Sequence, residues 1–140
     1  MMSAAVIVDM SGSMSELGKQ RIAVNLVHAV KWLDRSAEIY VWQENITQAQ
    51  DLEGINPAGK SDVHSLYDFI TDSGHTRFLL ISDGNFDLRE KLKPSGKLIR
   101  TLALGADANL RNLQQLSTND TVYLAENVRA AFDSASYDYD

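Results

Sequence analysis

The chain contains no cysteine, which excludes a disulfide framework, a thiolate nucleophile and a zinc–thiolate site. Positive charge is also scarce: 13 lysines and arginines stand against 19 aspartates and glutamates, for a formal net charge of -6. An acidic surface does not attract phosphates. These counts therefore argue against general nucleic-acid binding and against docking to an anionic membrane.

Long hydrophobic runs are absent as well. No stretch of the sequence is apolar for long enough to span a bilayer, and the first residues lack the basic and apolar regions of a signal peptide. We therefore expect a cytoplasmic protein. The 140 residues are enough for one domain with its own core. We assign that domain to 1–133 and expect an acidic, loosely held tail at 134–140.

Short apolar runs alternate along the chain with segments of helical periodicity. Five runs predict strands, at 4–9, 37–42, 77–82, 97–104 and, more weakly, 121–124. The segment 46–50 predicts an antiparallel partner at the edge of the sheet, joined by a short turn to the strand before it.

Apolar residues recur at helical spacing between the strands. One helix has an apolar face formed by Ile22, Leu26, Ala29 and Leu33, and a second has one formed by Val63, Leu66, Tyr67 and Ile70. Shorter helices are predicted near 86–93, 107–117 and 125–133. Alternating strands and helices indicate an α/β fold with three layers, a Rossmann-like doubly wound sheet that is mainly parallel with one antiparallel edge strand.

The first strand leads directly into a D-x-S-x-S segment, Asp9–Ser13. Its carboxylate and two hydroxyls are hard oxygen donors, the kind that Mg²⁺ or Mn²⁺ prefers. In a doubly wound sheet, ligands bind beyond the carboxyl ends of the strands, where the strand order reverses. Asp83 ends the neighbouring strand in the predicted order, and Ser61 precedes the second helix. We expect these three segments to meet in one crevice.

This set of residues resembles the metal-ion-dependent adhesion site of von Willebrand factor A-type domains, and the resemblance covers essentially the whole chain. In that family the two serines of D-x-S-x-S bind Mg²⁺ directly, a threonine from a middle loop joins them, and two aspartates act mostly through bound water. The resemblance implies that Ser11 and Ser13 are ligands and that Ser61 takes the threonine's place. Asp9 and Asp83 would orient waters and hydroxyls.

The resemblance also implies a function. A site with few direct carboxylates leaves a coordination position on the metal for an Asp or Glu of another protein, so we expect protein recognition without enzymatic activity. The expected metal is Mg²⁺, with Mn²⁺ or Ca²⁺ as alternatives. Compact stand-alone domains of this type resemble bacterial intracellular members that work with AAA+ ATPases or stress-response assemblies. Carboxylates of the tail 137–140 offer a second hypothesis, self-association through a neighbouring molecule's metal.

Three alternatives remain open at the level of sequence. The segment 54–61 satisfies the phosphate-loop pattern G-x-x-x-x-G-K-[ST], which would indicate an NTPase, although the polar, acidic residues before it are poor for a buried strand. Asp9 after the first strand is also compatible with a haloacid-dehalogenase-like phosphatase, but such enzymes expect a second acid where this chain has Ser11. Ser61, finally, could be only a helix cap, a role for which Asp62 competes.

Overall fold

A six-stranded sheet forms the centre of the fold in a computed structural model that describes residues 3–88 and 94–138. Its strands are β1 (Ala5–Asp9), β2 (Ile39–Trp42), β3 (Ile46–Ala49), β4 (Arg77–Ser82), β5 (Leu98–Ala103) and β6 (Val122–Leu124). They lie in the order β3-β2-β1-β4-β5-β6. The pair β2 and β3 is antiparallel and the other neighbours are parallel. This confirms the predicted α/β architecture with its antiparallel edge strand.

Helices cover both faces of the sheet. They are α1 (Lys19–Leu33), α2 (Val63–Asp72), α3 (Leu110–Leu116) and α4 (Val128–Tyr137), with 3-10 turns at Gly12–Ser15, Thr118–Asp120 and Ala125–Asn127. Buried residues of α1 and α4 share one hydrophobic cluster with Val6 and Val8 of β1. Buried residues of α2 and α3 share the other with Ala5 and Ile7. In the part of the chain that the structure describes, no helix has the length and apolar character needed to cross a bilayer.

The central position of β1 explains its continuous apolar sequence. Alternate side chains point to opposite faces, and both faces are covered, so every residue of Ala5–Asp9 is buried. Burying each valine or isoleucine contributes about 1.5–3 kcal/mol relative to leaving it in water. The strand therefore holds its last residue, Asp9, in a fixed position at the carboxyl end of the sheet.

The buried face of α1 differs from the predicted one. The side chains that pack inward are those of Ala23, Leu26, Val27 and Val30, beside Lys19. Ile22, which the periodicity placed in the core, is 36% exposed. Two adjacent faces of this helix satisfy the same i, i+3, i+4 spacing, and packing against the sheet selects the one with the smaller residues. In α2 three of the four predicted residues are buried, and Tyr67 is 38% exposed.

The C-terminal boundary also differs from the expectation. Instead of a loose tail from residue 134, α4 continues through Tyr137, with Ser134, Ala135 and Ser136 buried. These small side chains allow a close approach to the sheet. Their hydroxyls are used there: the Ala4 amide donates to Ser136 Oγ at 3.0 Å. Residues 139–140 of the predicted tail and most of the helix predicted at 86–93 lie outside the described residues, and 86–88 are not helical.

Candidate functional site

The candidate site lies at the carboxyl end of the sheet, between β1 and β4. The connections that leave β1 and β4 go to opposite sides, which makes this the point where strand order reverses. Asp9 is the last residue of β1, and Asp83 directly follows β4. The topology thus brings together the two carboxylates, as predicted from the sequence.

Two backbone hydrogen bonds attach the loop before α2 to the D-x-S-x-S segment. The Gly12 amide donates to the Gly59 carbonyl at 2.9 Å, and the Ala58 amide donates to the Met10 carbonyl at 3.0 Å. This pairing places Ser61 over β1, where its hydroxyl donates to Asp9 Oδ1 at 2.8 Å.

Ser61 is not the cap of α2. The cap is Asp62, whose carboxylate accepts a hydrogen bond from the His64 amide at 2.9 Å. The cap reading of Ser61 is therefore wrong, and its hydroxyl belongs to the cluster around Asp9. A carboxylate at the start of α2 also occupies the place where a phosphate loop would bind its anion. The segment 54–61, moreover, follows the antiparallel edge strand β3 instead of a buried parallel strand.

Asp9 is fully buried and accepts hydrogen bonds from three neutral donors. The Ser11 amide (2.9 Å) and the Ser61 hydroxyl (2.8 Å) contact Oδ1, and the Ser82 hydroxyl contacts Oδ2 at 2.6 Å. Within residues 3–88 and 94–138 no cation forms an ion pair with this carboxylate. Burial raises the pKa of Asp9 above its ordinary value, and the hydrogen bonds from Ser82, Ser11 and Ser61 offset this only in part.

The second carboxylate, Asp83, is also fully buried but has a different environment. Its Oδ2 accepts from the Ser13 hydroxyl at 2.8 Å, and its Oδ1 accepts from the Asn85 amide at 3.0 Å. Ser13 Oγ lies 3.3 Å from Ser11 Oγ, so the two serines and Asp83 form a continuous hydrogen-bonded chain. Burial would raise the pKa of Asp83, but the bonds from Asn85, Ser13 and Lys19 outweigh it and hold the pKa below its ordinary value.

Lys19 is the site residue that sequence reasoning missed. Its side chain is fully buried, and its ammonium lies 3.0 Å from Asp83 Oδ2 and 2.7 Å from Asp107 Oδ1. Its third hydrogen bond goes to the Ser13 carbonyl at 3.4 Å. Burial would lower the pKa of Lys19, but the hydrogen bonds and charges of Asp107 and Asp83 hold it above its ordinary value. A sequence signal did exist: a lysine in the first turn of a helix opposes the helix dipole unless an anion compensates it.

Two glycines allow the loops to close around these groups. Gly105 has φ +99°, and a Cβ there would lie 2.7 Å from Lys19 Cε. Gly84 has φ +73°, and a Cβ there would lie 2.5 Å from the Asn109 carbonyl oxygen. Both distances are too short for a real Cβ atom, so only glycine fits at these two positions. The loop after β4 and the loop after β5 are thus packed tightly against the site.

A cleft of about 570 Å³ opens over this cluster. Its lining includes the hydroxyl residues Ser11, Ser13 and Ser61, and also Lys60, Asn85 and Phe86. The three serines therefore lie between the cleft and the buried carboxylates. Ser61 bonds Asp9, and Ser13 bonds Asp83.

The donor set fits a hard divalent cation. Three serines line one cleft, and they adjoin the buried carboxylate of Asp9, which forms no ion pair among the described residues. No group of three or more acidic, histidine or cysteine side chains suitable for a metal occurs in the described ranges. A metal held here would therefore take hydroxyls and water as most of its ligands, with Ser11, Ser13 and Ser61 as the available side-chain donors.

Comparison with solved structures identifies the fold. No protein-family model matches the sequence, and no curated protein matches it. The chain superposes on an aerotolerance-related membrane protein from Bacteroides fragilis with a TM-score of 0.69 and 13% identity, over 94% of this chain and 96% of that one. It is also similar to a von Willebrand factor type A protein from Catenulispora acidiphila, with a TM-score of 0.57 and 16% identity, over 93% of this chain and 41% of that one.

These similarities establish the class of fold. The chain has the fold of von Willebrand factor A domains, as the resemblance in the sequence predicted. At identities this low the likeness extends to the fold alone. The role of the cluster around Asp9 must therefore be argued from its own geometry.

Proposed function

We propose that this chain is a divalent-metal-dependent protein interaction domain. Mg²⁺ would be held by the hydroxyls of Ser11, Ser13 and Ser61, with Asp9 and Asp83 orienting those hydroxyls and metal-bound water. Bound there, the metal supplies a Lewis-acidic position that a carboxylate of a partner protein can occupy. The observation that carries this proposal is the buried carboxylate of Asp9, which has no ion-pair partner among the described residues and lies beneath three serines that line one cleft.

A negative charge on Asp9 would favour binding of a cation at this site. A buried carboxylate is costly unless an opposite charge or a metal compensates it. The three donors around Asp9 are neutral, so they form hydrogen bonds with its carboxylate without supplying a compensating charge. A cation in the adjacent cleft would neutralise it, and Ser61, which contacts both the cleft and Asp9, lies between the two.

The hydroxyl ligands explain why the partner would be acidic. Serine hydroxyls are neutral, so they leave most of the charge of a divalent cation uncompensated. A carboxylate from another protein can displace water, complete the coordination and neutralise that charge. Lys60, exposed at the mouth of the cleft, adds a further attraction for an acidic side chain. An Asp or Glu of the partner is thus the expected contact.

We further propose that the domain is not an enzyme. A nucleophilic role for Asp9 would require access, but its carboxylate is fully buried and bonded to three donors. The phosphate-loop role of 54–61 is disfavoured by the carboxylate of Asp62 at the start of α2. An intracellular bacterial setting, with an AAA+ ATPase or a stress-response assembly as the partner, extends this proposal from the resemblance described above.

Calorimetric titration with Mg²⁺ and Mn²⁺ tests the proposal. Ser11→Ala and Asp9→Ala should each weaken metal binding at least about tenfold, because each removes a donor or the charge that attracts the metal. Ser15→Ala is the matched control: Ser15 lies in the same 3-10 turn, is exposed, and bonds only the Gly12 carbonyl among its described contacts, at 2.8 Å. Equal metal affinity in all four proteins, or no binding by the wild type, would contradict the proposal.

A further inference from the structure

Lys19 places a permanent positive charge inside the candidate site. Its ammonium directs its three donors at Asp83, at Asp107 and at the Ser13 carbonyl, so its hydrogen-bonding capacity is filled. The side chain is fully buried, and Gly105 leaves the space that its stem occupies. This is a fixed arrangement in which the same carboxylate oxygen of Asp83 binds both Lys19 and the Ser13 hydroxyl.

The charge of Lys19 changes the electrostatic balance of the site. Asp9 and Asp83 together carry two negative charges, which would fully neutralise a divalent cation. Lys19 already compensates one of them through its contact with Asp83. Its other partner, Asp107, lies 2.7 Å away and adds a further negative charge, which solvent weakens because this side chain is 42% exposed. Lys19 therefore leaves a bound divalent cation with one unit less of compensating negative charge than the carboxylates alone would supply.

We infer that Lys19 determines the specificity of the site by weakening its hold on the metal and strengthening the attraction of the bound metal for a carboxylate. Without Lys19 the carboxylates of the site would hold the metal more tightly and repel an incoming acid more strongly. With Lys19 that repulsion is reduced by one unit of charge. Lys19 acts through Asp83 and Ser13, and no contact between Lys19 and the ligand is required. This inference rests on the function proposed above.

The size of the effect follows from electrostatics. A unit charge and a divalent charge separated by about 6 Å change an affinity roughly tenfold even at the dielectric constant of water. Two unit charges at the same separation change it about threefold. Lys19→Met removes the charge and keeps an unbranched side chain in its place. We expect Mg²⁺ affinity to rise about tenfold and the affinity of the Mg²⁺-saturated protein for a carboxylate to fall about threefold.

Asp107→Asn is the complementary variant. It removes the exposed negative partner of Lys19 and makes the site more positive. We expect the opposite pair of changes, weaker Mg²⁺ binding and stronger carboxylate binding, each smaller because Asp107 is 42% exposed. For the same reason Asp107→Asn should fold normally. It therefore keeps the inference testable even where Lys19→Met fails to fold.

The experiment has two measurements on the wild type and the two variants. Calorimetry gives the affinity for Mg²⁺ alone, and NMR titration of the Asn85 and Gly59 amides gives the affinity of the Mg²⁺-saturated protein for N-acetylaspartate. Opposite changes of the two affinities, reversed in sign between the variants, support the inference. Changes in the same direction in both affinities would indicate a merely structural role and overturn it. A wild type that binds no Mg²⁺ would overturn the proposed function as well, so the two failures are distinguishable.

Discussion

Replacing Asp9 by asparagine should make the metal-free protein more stable while removing its ability to bind metal. The substitution keeps the size and shape of a side chain that is fully buried, and it removes the charge. The remaining Oδ1 can still accept from the Ser11 amide and the Ser61 hydroxyl. The new amide nitrogen replaces the oxygen that accepts from Ser82, so the Ser82 hydroxyl must turn and become the acceptor.

Two opposing effects set the magnitude of this change. Exchanging the short bond that Ser82 donates to a carboxylate for a neutral bond costs about 1 kcal/mol, and relief of an unpaired buried charge is worth somewhat more. The raised pKa of Asp9 shows that burial outweighs the hydrogen bonds that favour its charged form. We expect a net gain of about 1 kcal/mol in the free energy of unfolding, within the range common for stabilising substitutions at functional sites. For a domain of this size that corresponds to a rise in Tm of about 4 °C.

The effect depends on pH in a defined direction. Because the pKa of Asp9 is higher in the folded state than in the unfolded state, the folded protein binds the extra proton, and wild-type stability falls as pH rises through that interval. The advantage of Asp9→Asn is therefore complete above the folded pKa and disappears as pH falls towards the ordinary value for an aspartate.

Thermal unfolding with and without Mg²⁺ measures both effects. Saturating the wild type at about 100 times the dissociation constant should stabilise it by about 2.7 kcal/mol, whereas Asp9→Asn should gain nothing, so the order of stability reverses. Asp62→Asn is the control, since asparagine caps a helix as well as aspartate does. A metal-free Asp9→Asn protein less stable than the wild type, or equal stabilisation of both by Mg²⁺, would refute the reasoning.

Two further predictions concern the loops and the C-terminus. Gly84→Ala should lower stability by about 2 kcal/mol or more, because its Cβ would meet the Asn109 carbonyl oxygen at 2.5 Å. Gly74→Ala is the control: Gly74 has φ +84° but open space around it, so the substitution should cost only about 1 kcal/mol. Denaturant unfolding measures both costs, and equal values would contradict the predicted clash at Gly84. Truncation after Asp133 should lower Tm by several degrees, because this variant loses the fully buried Ala135 and the Ser136 hydroxyl. Truncation after Tyr137 keeps both residues and should leave Tm unchanged. Equal melting temperatures of the two truncated proteins would contradict this prediction.

The sheet and the main site residues were predictable because they follow from local sequence. A strand covered on both faces is mostly apolar, so the strand around the apolar run 78–81 could be predicted with the bounds that the structure gives, 77–82. Once β1 and β4 were expected to be neighbours, Asp9 and Asp83 had to meet at the same end of the sheet. Ser61 then followed from its loop, although the structure was needed to show that Asp62 is the helix cap and that the Ser61 hydroxyl bonds Asp9.

Lys19 could not be predicted in the same way, because its environment is built from distant parts of the chain. A lysine is normally expected at the surface, and its burial here depends on Asp83, Asp107 and the space beside Gly105. These three come together only after the sheet has formed. The end of α4 was missed for a related reason. The serines of 134–136 resemble a polar tail in the sequence, which does not show that their hydroxyls form hydrogen bonds with distant parts of the chain.

The hydrogen bond between the Ala4 amide and Ser136 Oγ brings the two ends of the domain together. Ala4 precedes the amino end of β1, whereas the cleft lies beyond the carboxyl end of the same strand. A linker fused at either terminus, or a circular permutant that joins them, would therefore attach on the side of the sheet away from the cleft. The domain can be tethered, displayed on a larger assembly or inserted into a host loop with its recognition surface pointing outward.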